Sequence, residues 1–195
     1  MGLSCAQTRT FPAYSIKLQS GSVSFYNIQE VTVGSTVVET TFVEGKRAKV
    51  VVNPGELQSG SWLRTADLKV QVDGSSYFTI PSSVSTETLV VKSLEGTSEV
   101  VWSRGGAFHT NIYGDKKYIL ERDAETGLCR VVSGDGIYGE TFTGYDAVRA
   151  DFLVSSGDVI FNKDELAVKQ AIIGVSDFAD DLNITTVRIS QVGIS

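Results

Sequence analysis

The chain has 195 residues, 42% of them hydrophobic and 21% charged, and a net charge of −6. That composition excludes a collagenous or disordered chain, and a compact chain of this length buries roughly 70% of its unfolded surface, so neither a disulfide nor a metal is needed to hold it. Lysine and arginine are scattered, which excludes the basic stripe with which a nucleic-acid binder displaces counterions.

The chain opens Met1-Gly2-Leu3-Ser4-Cys5, with neither the basic nor the apolar region of a signal peptide. Ala6 stands where a myristoylation signal requires Ser or Thr. No apolar run approaches the roughly 20 residues of a membrane-spanning helix. Asn183-Ile184-Thr185 fits a glycosylation sequon, but without a secretory route it reads as chance. Lys163-Asp164-Glu165-Leu166 spells a retention signal in an internal position, where it has no meaning. The expected site of synthesis and assembly is the cytosol.

In chain order, Val23 and Phe25 share one strand phase while Tyr26 and Ile28 share the other, so a bulge or strand crossing is expected near Asn27. A meander follows, with strands at 28–33, 36–43 and 47–52 separated by Gly34-Ser35 and Glu44-Gly45-Lys46. Lys46, Arg47 and Lys49 read as a charged strand edge that discourages pairing with other chains. Asn53-Pro54-Gly55-Glu56 ends the meander, because proline cannot continue a central ladder. Strict alternation in Leu68-Lys69-Val70-Gln71-Val72, then Asp73-Gly74, then Tyr77-Phe78-Thr79-Ile80, predicts a hairpin closed at Asp-Gly. Alternation also forces Tyr77 and Phe78 onto opposite faces.

The second half continues the rhythm without an internal repeat. Strands are expected at 99–104, 107–113, 117–122, 128–132, 147–154, 158–161 and 184–192, with glycine-rich turns between them. One segment departs from the pattern. Asn162 as N-cap, Glu165 three residues on, apolar residues at the two staple positions and Gly174 beyond Ile173 predict a short helix over 163–173. A strand phase through Leu166, Val168 and Ile172 competes with it. The two cysteines, Cys5 near a loose terminus and Cys129 on a strand, permit one disulfide without implying it.

Four groupings invite a chemical reading, and each has a plainer one. Gly134-Asp135-Gly136-Ile137-Tyr138-Gly139 spells a dinucleotide fingerprint, but such a loop needs a helix directly after it, and 140–144 is strand-like. His109, the one histidine, has no visible partner for base catalysis and no nucleophile elbow accompanies it. Asp177, Asp180 and Asp181 lack EF-hand spacing and read as a solvated acidic loop. Trp62, Trp102, Tyr77, Tyr113, Tyr118, Tyr138 and Tyr145 offer a sugar-stacking platform, although strand aromatics usually serve the core. No catalytic, cofactor-binding or metal-ligating residue is assigned, and no cofactor is expected.

These residues predict an all-β, antiparallel protein, a β-sandwich or two stacked β subdomains with one short helix near 163–173. One domain over 1–195 is expected, with 1–95 and 96–195 as the alternative division. The Val/Ser/Thr/Gly-rich β texture, sparse sulfur and lack of a recognisable active site resemble bacteriophage virion accessory proteins in general character. That resemblance implies a non-enzymatic structural component of a tail, neck or capsid, assembled in the host cytoplasm. Its partners would be copies of itself and other virion proteins, without direct contact to nucleic acid or membrane. The segments 1–10 and 184–195 are the expected contact arms. The alternative is a β-sandwich module that binds carbohydrate or a cell surface; a carboxylate-dependent hydrolase ranks behind both.

Overall fold

The structure, a computed structural model, describes residues 1–64, 69–107, 110–122, 126–157 and 159–187. The protein is all-β. Its strands are β1 (Gly2–Cys5), β2 (Arg9–Phe11), β3 (Ile16–Ser20), β4 (Val23–Asn27), β5 (Val31–Val33), β6 (Val38–Glu39), β7 (Phe42–Glu44), β8 (Lys46–Val52) and β9 (Gln58–Arg64). There follow β10 (Lys69–Ile80), β11 (Val90–Glu95), β12 (Ser98–Arg104), β13 (Lys117–Arg122), β14 (Cys129–Ser133), β15 (Ala147–Val154), β16 (Ala167–Ile173), β17 (Ser176–Asp177) and β18 (Leu182–Thr186). Helical structure among the described residues is confined to single 3-10 turns. The chain divides into two compact units, one formed by Met1–Lys46 with Ser155–Ser195 and the other by Arg47–Val154.

The first unit holds three small sheets, ordered β18-β1-β6, β17-β16-β3-β4-β7 and β2-β5. Alternation is clean where a strand has one face to bury: Ile16, Leu18 and Ser20 of β3 point inward, as do Val31 and Val33 of β5. Ile16, Leu18, Val31 and Val33 join Leu3, Phe11, Phe25, Ala171 and Leu182 in one apolar core. The ring of Phe161 meets that of Phe25 edge-on at 4.7 Å. Asn27 ends β4 with its side chain fully buried; its Oδ1 accepts from the amide of Ile16 (2.8 Å), and its Nδ2 donates to the carbonyls of Pro12 and Gln29. That amide holds the chain where it leaves one sheet for another, near the phase switch at Asn27.

The second unit is a single sheet of order β8-β15-β11-β12-β13-β14-β10-β9. The pairs β9–β10, β10–β14, β13–β14, β11–β12 and β11–β15 are antiparallel, whereas β12 and β13 run parallel with Ser103 opposite Lys117. Its core collects Phe78, Ile80, Val91, Trp102, Tyr118, Val131, Phe142, Val148, Ala150 and Phe152. Trp102 packs against Phe142 (4.6 Å) and Tyr145 (5.9 Å), and its Nε1 donates to Ser93 Oγ at 2.9 Å. A buried indole N–H needs such an acceptor. On the outer face, Lys92, Glu99, Arg149 and Asp151 form a cross-strand ion network with contacts of 2.7–2.9 Å. Phe78 is buried while Tyr77, on the other face, is half-covered by the Arg130 guanidinium 5.1 Å above its ring.

The structure corrects several local expectations. Asp73-Gly74 does not close a hairpin: β10 runs through it, paired with β9 from Lys69 opposite Arg64 to Tyr77 opposite Gln58. The register shifts between Val72 and Ser76, so Asp73, Gly74 and Ser75 face Gly60 alone, an extended bulge that absorbs the turn-forming dipeptide. The helix over 163–173 is also replaced. The capping signal is real, since Asn162 Oδ1 accepts from the Asp164 amide and its Nδ2 donates to Glu165, but it starts only the 3-10 turn Lys163–Glu165. From Ala167 the chain pairs with β3, and Gly174 serves the tight β16–β17 hairpin instead of a helix cap. A β-branched strand phase beside an unpaired edge outweighed one good cap. The meander is dispersed as well, because β5, β6, β7 and β8 pair with β2, β1, β4 and β15 respectively. Residues 110–113 and 159–161 are not strand.

Of the segments expected as contact arms, 1–10 and 184–187 are built into the fold, and 188–195 lie outside the described residues. β1 lies between β18 and β6, with Leu3 opposite Ile184 and Cys5 opposite Leu182. Leu3 and Cys5 are buried, and both cysteines are free thiols.

Candidate functional site: a joined loop pair

Parallel neighbours cannot be joined by a tight turn; the chain must cross back over about a dozen residues or more. The β12–β13 pair therefore requires the long connection 105–116, of which 108 and 109 (including His109) lie outside the described residues. The second long crossover, 134–146, carries the chain from β14 to β15, which lie apart in the sheet. The two connections meet. The Glu140 amide donates to the Asp115 carbonyl at 2.9 Å, and a Cβ at Gly139 would touch that same oxygen at 3.2 Å and Asn111 at 3.6 Å.

Both loops are held from within. Asp135 Oδ1 accepts from the amides of Ile137 (2.9 Å) and Tyr138 (2.7 Å), and the Gly136 amide donates to the Gly139 carbonyl at 2.9 Å. Asp115 Oδ2 accepts from the Ile112 amide and from Lys117 Nζ. The Lys117 hydrogen bond, with the Ile112 amide, holds the Asp115 carboxyl below its ordinary pKa. Gly134 admits no side chain, because a Cβ there would lie 2.4 Å from the carbonyl oxygens of both Tyr138 and Gly139. Gly139 adopts φ +90°, a region that glycine enters without strain.

What the loops present is apolar. Ile112 is 70% exposed, Tyr113 84%, Ile137 69% and Tyr138 47%. Around them the charges are matched: Lys117 with Asp115 at 2.9 Å, Lys116 with Glu140 at 4.0 Å, and the Tyr145 hydroxyl donating to Glu140. The Tyr145 hydrogen bond raises the pKa of Lys116, while burial chiefly raises that of Tyr145. Behind the loops Asn111 is buried, and among the described residues neither its Oδ1 nor its Nδ2 has a hydrogen-bond partner.

The sequence-level groupings divide sharply. The Gly134–Gly139 letters form a self-bonded turn, with three amides already engaged, and lead into the 3-10 turn Phe142–Gly144 and then β15. Asp177 Oδ1 accepts from the amides of Ala171 and Ala179, and Asp181 pairs with Arg9 at 3.3 Å, whose guanidinium also lies 3.9 Å from the Phe178 ring centre. Among the described residues no group of three His, Cys, Asp or Glu is placed to hold a metal. The aromatics do not form one platform. Trp102 and Tyr118 are core, Tyr145 is half-buried beside Trp102, and only Tyr113 and Tyr138 stand out on the loops. The side chain of Trp62 lies outside the described residues. A depression of about 200 Å³, lined by Val51, Val52, Glu56, Gln58, Phe78 and Thr79, holds a single carboxylate, and Glu56 Oε2 is engaged by Asn53. It falls below the roughly 300–1,000 Å³ of ordinary ligand clefts. No helix among the described residues is long and apolar enough to cross a membrane.

Sequence reasoning missed Ile112 and Ile137 as surface residues. For Ile137 the available signal was an aliphatic residue inside the glycine-rich run Gly134–Gly139; Ile112 gave none, because 107–113 read as a strand. No protein family, curated protein or solved structure matches this chain.

Proposed function

We propose that this chain is a non-enzymatic structural component of a viral particle, a bacteriophage tail, neck or capsid-associated protein that assembles with copies of itself and with other virion proteins in the host cytoplasm. One observation carries the reading: the loop pair, braced by its own hydrogen bonds, holds four large apolar side chains in solvent while Asp115, Lys116, Lys117 and Glu140 pair among themselves. Interface cores have this make-up, aromatic and apolar, poor in unpaired charge. An apolar surface of this kind on a rigid support marks a site of association. The reading takes the finer form of the fold as a β-sandwich or a pair of β subdomains, in keeping with two separate apolar cores. Immunogold labelling of particles purified from cells that make this protein tests it. Gold on the particles is the expected result; label confined to the soluble cell fraction would overturn it.

A second reading, a carbohydrate- or cell-surface-binding module, is favoured by the exposure of Tyr113 and Tyr138 on the two joined loops. Sugar rings stack on such faces. Glycan-array binding that is lost in Tyr113→Ala would establish it, and an array without signal would remove it.

A further inference from the structure

We propose that the loop pair formed by residues 111–115 and 135–140 is a self-docking surface, on which a second copy of this chain seats its own Ile112, Tyr113, Ile137 and Tyr138 about a two-fold axis. This rests on the assembly reading above and names the partner at that surface.

Three features select a second copy over other occupants. The first is area. With large side chains contributing about 150–250 Å² each when fully buried, the four together present on the order of 500 Å², most of the roughly 800 Å² that each partner gives to a standard interface. The second is charge. Asp115, Lys116, Lys117 and Glu140 pair within the chain and the Asp135 carboxylate accepts from the Ile137 and Tyr138 amides, so the rim demands no oppositely charged partner and a second copy, which presents the same patch under two-fold symmetry, brings no unmatched block of charge against it. The third is shape. These side chains stand out from the loops, whereas a small ligand needs a concave site that covers most of its surface. Pre-ordering by Asp115, Asp135 and Gly134 removes much of the entropy cost of fixing the loops on association.

Two molecules that each carry a net charge of −6 repel one another at long range. Association through neutral apolar loops therefore strengthens as salt screens that repulsion, whereas docking driven by charge weakens.

Sedimentation equilibrium of the full chain in 50 mM and 500 mM NaCl, where the Debye length is about 14 Å and about 4 Å, tests the inference. The expected result is a monomer–dimer equilibrium that tightens in the higher salt. Tyr113→Ser and Ile137→Ser combined should raise the dissociation constant at least about tenfold, the effect of losing about 1.4 kcal/mol. Both positions are exposed, so an unchanged thermal melt certifies the fold. Val101→Ser, at an exposed site on the sheet's outer face, should leave the constant unaltered. If the wild type dimerises and the loop double variant dimerises equally well, this surface is wrong while the assembly reading survives. A wild type that stays monomeric in both salts overturns the docking inference, and particle labelling then judges the assembly reading separately. Equal loss in Val101→Ser also overturns the assignment.

Discussion

Phe142 stands where the second crossover returns to the sheet, so its removal measures how firmly the loop pair is tied to the core of its unit. The ring is fully buried, 4.6 Å from Trp102 and 5.8 Å from Phe78, centre to centre. Truncating a core phenylalanine to alanine costs about 3–5 kcal/mol through lost transfer energy and the cavity left behind. Each aromatic pair adds about 0.5–1.5 kcal/mol beyond area burial, which lifts Phe142→Ala clear of the low end of that range, to about 4 kcal/mol. With a urea dependence of about 2 kcal/mol per molar, the unfolding midpoint should fall by about 2 M. Urea titration at 25 °C, followed by far-UV circular dichroism and by tryptophan fluorescence, reads both the loss and the altered surroundings of Trp102. Phe142→Leu, which refills most of the volume, should lose less than half as much. A shift below about 0.5 M for Phe142→Ala would refute the claim that this ring anchors the crossover, since it corresponds to only about 1 kcal/mol.

Two further outcomes follow from local geometry. Gly134→Ala should cost about 1–3 kcal/mol, because its Cβ meets carbonyl oxygens that side-chain motion cannot clear; Gly144→Ala, with nothing within 4 Å, should be close to neutral in the same thermal melts. The hydrogen bond from Lys92, with Arg149 beside it, holds the Glu99 carboxyl below its ordinary 4.5. A carboxyl with a depressed folded-state pKa lends its stability above the ordinary value and loses it as pH falls through the lowered one. NMR titration should therefore place Glu99 below 4.5 in the wild type and move it upward in Lys92→Met; an unmoved titration would show that Lys92 is not the cause.

The all-β class was legible in the sequence because strands with one buried face write their period of two directly into the residues, as in Arg47-Ala48-Lys49-Val50-Val51-Val52. Lys117–Arg122 and Ala147–Val154 were bounded correctly from sequence as well, although neither alternates: β15 is buried on both faces and its bounds come from the flanking turn residues. Which strand pairs with which was not legible. Adjacent strands 28–52 go to different partners, and the dipeptide Asp73-Gly74 fits a bulge as readily as a hairpin once β9 pairs across it. Asn162 is a sound cap, yet a cap fixes only where a helix begins. The edge of β3 decided what followed. At the site, the fingerprint-like Gly134–Gly139 could be set aside for want of a following helix. The meeting of residues 111–116 with 134–140 depended on the parallel β12–β13 pairing, which no local pattern encodes.

The central claim is that the loop pair is covered in the assembled protein, and hydroxyl-radical footprinting across a concentration series tests it most directly. Tyr113 and Tyr138 should be modified freely in dilute solution and become protected as the protein is concentrated, while Tyr77, on the sheet, keeps a constant rate. Modification of Tyr113 and Tyr138 that stays constant at every concentration, with protection arising elsewhere or nowhere, would contradict the account.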